Sequence, residues 1–553
     1  MNESQKKQII VVGGVAGGAS FAARMRRLDE SAHITMYEKG SFISFANCGL
    51  PYHIGKTIKK RKKLLLQTPE SFNSRYNVDV KVNTEVISVN TSESTVTVRE
   101  NDQCETKAYD YLMLAPGCKP INPPIEGFNI PQVYTLRTIN DMDHIKKAAK
   151  NKAAKCVAVI GGGFIGLEVA ENLRDRGLDV MLIELADQVF IPADKEMARI
   201  LHQHLKEKGI KLYLNNGACN CEKLKNNQLS LSLNSGASLN CDFIVMAVGV
   251  SPDTQFLNDS GISLNPRGAI ITDNQMRTNI PNVYAAGDAV EVTEFVTNEK
   301  AQIPLAGPAN RQGRIAADNI AGIDTSYKNT QGTAICKLFD LTAAVTGLNE
   351  KTAKRLNIEF NKSYTHSANH AGYYPGASTM AVKLLFSPTI GKLLGAQVIG
   401  KEGVDKRIDV FSTAIRQGLT IDDLTELELA YAPPYGSAKD AVNMAGFVAQ
   451  NILDKLVVPF YVEDLPDIND TQQILLDVRT KKEIKKGMLQ GALHIPIDDL
   501  RERLGELDDQ KEIMVYCQVG MRGYLACRIL TQNGFRCRNL SGGYTTYLQY
   551  EPV

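Results

Sequence analysis

The chain is 553 residues long, enough for several domains that each bury a core of their own. Its 63 Lys and Arg stand against 61 Asp and Glu, and a net charge of +2 excludes global attraction to nucleic acid or to an anionic membrane. The first apolar run, Ile9-Ile10-Val11-Val12, is far too short to span a bilayer, no signal peptide precedes it, and the chain reads as soluble and cytoplasmic. Eleven cysteines without regular spacing read as reduced thiols rather than a disulfide framework, and no metal-ligand cluster is expected.

That first strand enters Gly13-Gly14-Val15-Ala16-Gly17-Gly18, and Ala19 to Leu28 reads as helix. In such a strand–turn–helix the glycines let the backbone approach a pyrophosphate, which sits at the positive end of the helix. Val15 stands where the second glycine of the pattern usually falls. Ser20, Arg24 and Arg27 recur at i, i+4 and i+7, so they share one helical face on which two guanidiniums could hold phosphates. The strand Ile34-Thr35-Met36-Tyr37 ends at Glu38, at the distance of a carboxylate that accepts a ribose hydroxyl. Next come Ser44-Phe45-Ala46-Asn47-Cys48-Gly49-Leu50-Pro51-Tyr52-His53, an unusual turn around a cysteine, and the basic run Lys59 to Lys63, a solvated loop able to add to phosphate steering.

A second fingerprint is complete: Cys156-Val157-Ala158-Val159-Ile160 leads into Gly161-Gly162-Gly163-Phe164-Ile165-Gly166, a helix through Leu173, and a strand ending at Glu184. No arginine follows closely enough to take a 2′-phosphate, which favours NADH over NADPH. A third segment, Thr278 to Asp288, ends a short strand in Gly287-Asp288, where a carboxylate can meet a ribityl chain. From about residue 328 short strands such as Ala381 to Phe386 and Leu394 to Gly400 are followed by helices through Gly418 and near Asp440 to Leu453. An acidic, proline-bearing stretch from about Val458 to Asp470 reads as a linker. Beyond it lies a small α/β unit in which the strand Glu512 to Tyr516 runs into Cys517-Gln518-Val519-Gly520-Met521-Arg522. Backbone N–H groups and the Arg522 guanidinium can surround that one sulfur and favour its thiolate.

The two fingerprints, the Gly-Asp segment, and the turns Leu114-Ala115-Pro116-Gly117-Cys118-Lys119-Pro120 and Val248-Gly249-Val250-Ser251-Pro252 resemble the two-dinucleotide-binding flavoprotein disulfide reductases. The resemblance implies an α/β chain with two Rossmann-like domains. FAD would be held by residues 1–119 and 250–327, through Gly13, Gly14, Ala16, Gly17, Glu38, Lys39, Val86, Ala115, Gly117, Gly287, Asp288 and Ala306. NADH, with NADPH possible, would be held by residues 120–249, through Gly161, Gly163, Phe164, Gly166, Glu168 and Glu184. Where glutathione-reductase-like members carry a second cysteine this chain has His53, so Cys48 works alone, through either a sulfenic acid or a mixed disulfide.

Peroxidase relatives place a histidine in the first glycine turn, whereas this chain has Ala16 there. Residues 1 to about 450 closely resemble coenzyme A disulfide reductases, which implies coenzyme A as substrate or carrier, on Ser20, Arg24, Arg27, Ser44, Asn47, Asn310 and Lys439. Residues 328–455 would be an α+β dimerisation domain of a homodimer, whose Tyr373 and Tyr431 phenols serve the mixed disulfide; Tyr374 and Tyr435 lie close enough to exchange roles with them. After a linker at 456–470, residues 471–553 resemble a rhodanese domain, and the short loop from Cys517 to Arg522 suits sulfur rather than phosphate. The expected activity is NADH-dependent cleavage of S–S bonds in coenzyme A persulfide, coenzyme A disulfide or polysulfide. The rival readings are an NADH oxidase or peroxidase, and a sulfurtransferase or redox sensor whose reductase half is regulatory.

Overall fold

The computed structural model describes residues 6–550, which divide into two compact units: residues up to 189 with 209–332, and residues 190–208 with 333 onward. The first unit is built on two parallel five-stranded sheets. One runs Val283–Ala285, Tyr111–Leu114, Gln8–Val12, His33–Glu38, Asp79–Val82; the other runs Lys211–Tyr213, Asp179–Ile183, Cys156–Ile160, Phe243–Met246, Val133–Thr135. Strands covered on both faces must be apolar at every position rather than alternating, and Ile9 to Val12 and Val157 to Ile160 are all buried. In each sheet the strand that opens the fingerprint is central, so its carboxyl end lies where neighbouring connections leave in opposite directions, the usual crevice for a dinucleotide. A three-stranded antiparallel meander accompanies each sheet, Glu85–Asn90 to Gln103–Ala108 and Ala218–Lys223 to Ser238–Cys241.

The second unit carries an antiparallel sheet in the order Ala334–Leu338, Leu341–Gly347, Leu393–Gly400, Thr379–Phe386, Asn361–Ala368, packed by the helices Val404–Gln417 and Ala441–Leu453. Its C-terminal part is a parallel sheet in the order Pro459–Phe460, Cys537–Leu540, Glu512–Tyr516, Gln473–Asp477, Leu493–His494. The stretch read as a linker therefore supplies an edge strand: Pro459 and Phe460 pair with Asn539 and Leu540, and Phe460 is fully buried. Proline is compatible with that place because an edge strand needs no donor on its outer side.

The segment 190–208 also departs from the expected boundaries. It lies within the stretch assigned to the NADH domain, yet its helix Lys195–Glu207 packs on the strands Leu341–Gly347 and Leu393–Gly400. The cause is electrostatic. Asp194 and Glu196 are buried, and the fully buried Lys383 ammonium meets them at 2.7 and 2.5 Å and Glu350 at 2.5 Å. Three carboxylates converge as they would on a cation, and the ammonium supplies that charge. Burial disfavours the charged lysine, but Glu196, Asp194 and Glu350 outweigh it and raise its pKa. Burial likewise pushes Glu350 up, and Lys383 with Lys362 overcomes it and brings the carboxyl to about 2.

Lys362 extends the network to Glu463 of the C-terminal domain, and Tyr461 donates to the Lys362 carbonyl at 2.9 Å. His366 and Thr546 meet at 2.8 Å, with burial holding the imidazole neutral at a pKa of about 4.

Lys383→Met strands three buried carboxylates, so the variant should lose on the order of 3–5 kcal/mol, read as an earlier transition in urea unfolding followed by circular dichroism. Adding Glu350→Gln should recover part of the loss. In the wild type, the stabilisation from the depressed Glu350 is complete above its ordinary value of 4.5 and disappears as the pH falls through about 2.

Candidate active sites

The two glycine turns have one geometry. Gly13 (φ +93°) and Gly161 (φ +107°) adopt backbone that other residues avoid, and a Cβ on either would lie 2.2 Å from the Ala115 carbonyl oxygen or 2.3 Å from that of Ala247. Five residues on, a Cβ at Gly18 or Gly166 would lie 1.9 Å from the carbonyl oxygen of Gly13 or Gly161, so only glycine lets the helix start this close to its strand. Glu38 accepts from Gly14 N at 2.9 Å and Gly40 N at 2.8 Å; Glu184 accepts from Gly162 N at 2.6 Å and Ala186 N at 2.8 Å. Each carboxylate is thus oriented at the lip of its turn, with lone pairs left for ribose. Gly18 was missing from the expected binding residues, although the five-residue spacing it shares with Gly161 and Gly166 reveals it. Val15, at φ −101°, needs no glycine, and nothing crowds a Cβ at its counterpart Gly163.

The residues present fit a flavin nucleotide. Ala115 and Ala286 pack against Gly17, Gly287 N donates to the buried Gln312 at 2.8 Å, and Ala306 opens the helix Ala306–Ile320. Asp288 lies 3.5 Å from Arg137, whose charge only partly offsets the burial that raises the Asp288 pKa. Gly117 (φ +70°) abuts Arg137, which also donates to the Cys118 carbonyl. Lys39 pairs with Asp253, while Val86 is buried in the core. Phe164 opens the second helix, Phe164–Arg174, which also carries Glu168.

Cys48 sits in a 3₁₀ turn, Asn47–Gly49, that continues into the short helix Leu50–Ile54 with Pro51 near its start. The side chain is open to solvent, yet enough protein surrounds the sulfur that desolvation raises its pKa, with Glu168 and then Asp288 adding to the rise and Arg137 opposing it. Glu168 accepts from the Tyr52 hydroxyl at 3.0 Å, and burial still pushes its carboxyl up to about 7. His53 is buried, with Nδ1 2.6 Å from the Ile58 carbonyl oxygen and Nε2 against Lys146 Nζ, and desolvation lowers its pKa. It closes the helix end as a packing residue. Ser44 is left-handed (φ +43°), and the Asn47 side-chain oxygen is buried without a hydrogen-bond partner.

Of the residues expected on the coenzyme A path, Ser20 and Asn310 are hydrogen-bonded to each other. Arg24 is committed to the buried Asp318 at 2.6 Å, and Arg27 is exposed. Arg26, between them, is a structural residue whose guanidinium donates to five backbone carbonyls. In the second unit the Tyr373 and Tyr431 hydroxyls lie 3.0 Å apart on exposed side chains, Tyr374 packs edge-on against His370, and Tyr435 and Lys439 are exposed.

The Cys517 loop is a separate centre. Cys517 is fully buried, and Gly520, left-handed at φ +98°, donates its N–H to the sulfur at 3.1 Å. The loop is gripped from behind, since Tyr544 N donates to the Cys517 carbonyl at 2.8 Å and Thr545 N to that of Gln518 at 2.9 Å. Arg522 makes a bidentate pair with Glu483 at 2.6 and 2.8 Å, and that pair, with Cys517 adding to it, raises the guanidinium pKa against burial. Glu483 was not anticipated; neither was the buried Asp477–Arg479 pair, which holds the end of the adjacent strand with Arg479 stacked 4.1 Å over Tyr544.

Duplicated nucleotide turns, a flavin-compatible Gly-Asp segment and one accessible cysteine beside them define a flavin- and pyridine-nucleotide-dependent oxidoreductase. Comparison with known proteins agrees. Residues 7–313 match the pyridine nucleotide-disulphide oxidoreductase family, 333–442 its dimerisation domain, and 461–550 the rhodanese-like domain. The coenzyme A disulfide reductase of Staphylococcus haemolyticus is 39% identical over 449 residues, 81% of this chain and 100% of that protein. The reduced CoADR-RHD of Bacillus anthracis superposes with a TM-score of 0.96 at 46% identity, covering 99% of this chain and 98% of that one. An NAD-dependent persulfide reductase from A. fulgidus superposes with a TM-score of 0.92 at 36% identity, covering 98% and 100%. The chain belongs to the pyridine nucleotide-disulphide oxidoreductases, in the coenzyme A disulfide reductase branch, with a rhodanese domain at its C-terminal end. Among the described residues no helix is long and apolar enough to cross a membrane.

Glu168 and Asp288 both raise the Cys48 pKa, so Glu168→Gln should lower the pH midpoint of Cys48 alkylation by iodoacetamide in the reduced holoenzyme. An unmoved midpoint would show that the Glu168 charge is not felt at the sulfur.

Proposed function

We propose that the protein is a homodimeric, NADH-preferring reductase of coenzyme A persulfide, whose rhodanese domain loads the sulfur. FAD and NADH, bound in the two glycine turns, supply the two electrons that return the Cys48 sulfur to its thiolate. The chain's own residues do the rest. The Cys48 thiolate attacks the inner sulfur of a coenzyme A persulfide, the S–S bond breaks, and hydrosulfide leaves. Coenzyme A remains in a mixed disulfide with Cys48 until the electrons release it. Tyr373 and Tyr431, contributed by the other subunit, donate a proton to the departing thiolate. Ser20, Asn310, Ser44, Asn47, Lys439 and Arg27 line the coenzyme A path, while Arg24 acts through its pair with Asp318. The balance is one persulfide, one NADH and one proton to one coenzyme A thiol, one hydrogen sulfide and one NAD⁺.

The observation that carries this reading is the gripped Cys517 loop on the same chain as an accessible Cys48 that lacks a partner cysteine. A reductase of the symmetric disulfide has no use for a sulfur carrier. Ala16 in the first turn and relatives matching across both halves weigh against the oxidase or peroxidase reading.

Cys48→Ser should abolish NADH oxidation with every disulfide or persulfide while still allowing hydride uptake. Cys517→Ser should leave reduction of supplied coenzyme A persulfide unchanged and suppress turnover with inorganic polysulfide plus catalytic coenzyme A. Equal losses in both assays would place Cys517 in the reductive step, and no loss in either would end the loading scheme. NADH should outperform NADPH because the carboxylate of Glu184 repels a 2′-phosphate, and Glu184→Gln should narrow the kcat/KM ratio by about tenfold, roughly 1.4 kcal/mol.

A further inference from the structure

The antiparallel sheet of the second unit ends in the strand Asn361–Ala368, and the C-terminal domain covers the open edge of that strand. The Tyr461 hydroxyl donates to the Lys362 carbonyl at 2.9 Å, Tyr364 N donates to Ser541 Oγ at 3.2 Å, and His366 Nε2 lies 2.8 Å from the hydroxyl of the buried Thr546. Positions 362, 364 and 366 recur at the two-residue period of a strand, so the same side meets the C-terminal domain at each step.

The segment that receives these contacts is also the back of the Cys517 loop. Gly542 (φ +73°) and Gly543 (φ +62°) are wedged between strand and loop. A Cβ on Gly542 would lie 2.1 Å from Thr546 Oγ1 and 2.8 Å from Tyr364 Cβ, and one on Gly543 would lie 2.4 Å from the Cys517 carbonyl oxygen. Backbone alone therefore separates the strand from the loop. The helix Gly543–Tyr550 starts there, and its first N–H groups are spent on the loop, Tyr544 N on the Cys517 carbonyl and Thr545 N on that of Gln518. Across a trans peptide the N–H points opposite to the carbonyl, so the N–H groups of Gln518 and Val519 turn away from the helix. With Gly520 N, which donates to Cys517 Sγ at 3.1 Å, they have the form of a nest for an anionic sulfur.

We propose that the edge strand Asn361–Ala368 completes the sulfur-loading site, with His366 and Thr546 as positioning residues that hold Gly542 and Gly543 against the Cys517 loop. The reductase half is then part of the rhodanese centre, and the fusion supplies a wall that the C-terminal domain lacks by itself. This rests on the reading that Cys517 takes up sulfur. In that step the Cys517 thiolate attacks a terminal sulfur of a polysulfide, one S–S bond breaks, and the polysulfide departs one sulfur shorter with the electron pair of that bond.

The test uses the full-length holoenzyme without NADH, given inorganic polysulfide, quenched with iodoacetamide and read as the sulfur content of the Cys517 peptide. His366→Phe alters no residue of the C-terminal domain, and Thr546→Val keeps the shape of its side chain. Each should slow sulfur uptake by about tenfold, because each leaves a polar partner unpaired at the seam. The double variant should be no slower than the slower single one, since both remove one interaction, and Thr546→Ser should stay within about twofold of the wild type. NADH-dependent reduction of coenzyme A disulfide should be unchanged in all of them. Wild-type uptake in both single variants would overturn the proposal. So would losses that multiply in the double variant, or a Thr546→Ser protein as slow as Thr546→Val. A wild-type protein whose Cys517 gains no sulfur would instead sink the loading reading, and this proposal with it.

Discussion

Contact between a glycine Cα and a carbonyl oxygen one turn away is the constraint on which both nucleotide sites rest. At Gly18 over Gly13 and at Gly166 over Gly161 there is no room for a Cβ, so each helix begins against the end of its strand and its free N–H groups face the crevice. The carboxylates follow from that approach. Glu38 and Glu184 reach back to the N–H of the next glycine because the neighbouring parallel strand stops level with the turn. The flavin-side residues from Ala115 to Gly117 and from Gly287 to Asp288 lie at the ends of strands in the first of these sheets, so one register aligns them all.

The two candidate sulfurs, Cys48 and Cys517, are placed in opposite ways. Cys48 is open to solvent and faces carboxylates that disfavour its thiolate, so the charged form that the proposed attack needs is held back by desolvation, Glu168 and Asp288 and favoured only by Arg137 and the local backbone. Cys517 is buried under an N–H donor, with an arginine nearby whose charge is largely spent on Glu483, and that pairing holds the Glu483 carboxyl at about 2. Arg522 is thereby a braced positive wall of the loop rather than a free counter-ion. A braced charge stabilises whichever anionic sulfur occupies the loop, thiolate or persulfide.

Motifs confined to a few consecutive residues were legible in the sequence. The glycine turns, the parallel strands, the cysteine loop and the acidic ends of the second strands all appear where the residue pattern places them. What escaped depends on partners far along the chain. Arg24 looks available on its helix and is taken by Asp318, nearly 300 residues away. The acidic stretch around Pro459 looks like a linker because an edge strand of two residues carries too little pattern to stand out. The helix Lys195–Glu207 reads as part of the nucleotide domain until the demand of Asp194 and Glu196 for a buried cation, met by Lys383, draws it onto the other unit. The pairing of Tyr373 with Tyr431 is likewise a tertiary fact, since both candidates in each segment have the same side chain.

The anchoring of the C-terminal domain limits how its sulfur can travel. Pro459–Phe460 is stitched into that domain's own sheet, while Glu463, Tyr461 and Thr546 are tied to Lys362 and His366 of the antiparallel sheet, and Arg528 donates to the Leu456 carbonyl. Among the described residues the connection is thus tied to the sheets on both of its sides. Cys517 itself is fully buried, so its side chain does not protrude toward a distant thiol. Under the proposed loading scheme, delivery calls for an acceptor that comes to the loop and leaves with the sulfur. A small thiol with a long, flexible arm and a charged handle meets that need, and coenzyme A, the molecule proposed for the Cys48 site, has that form.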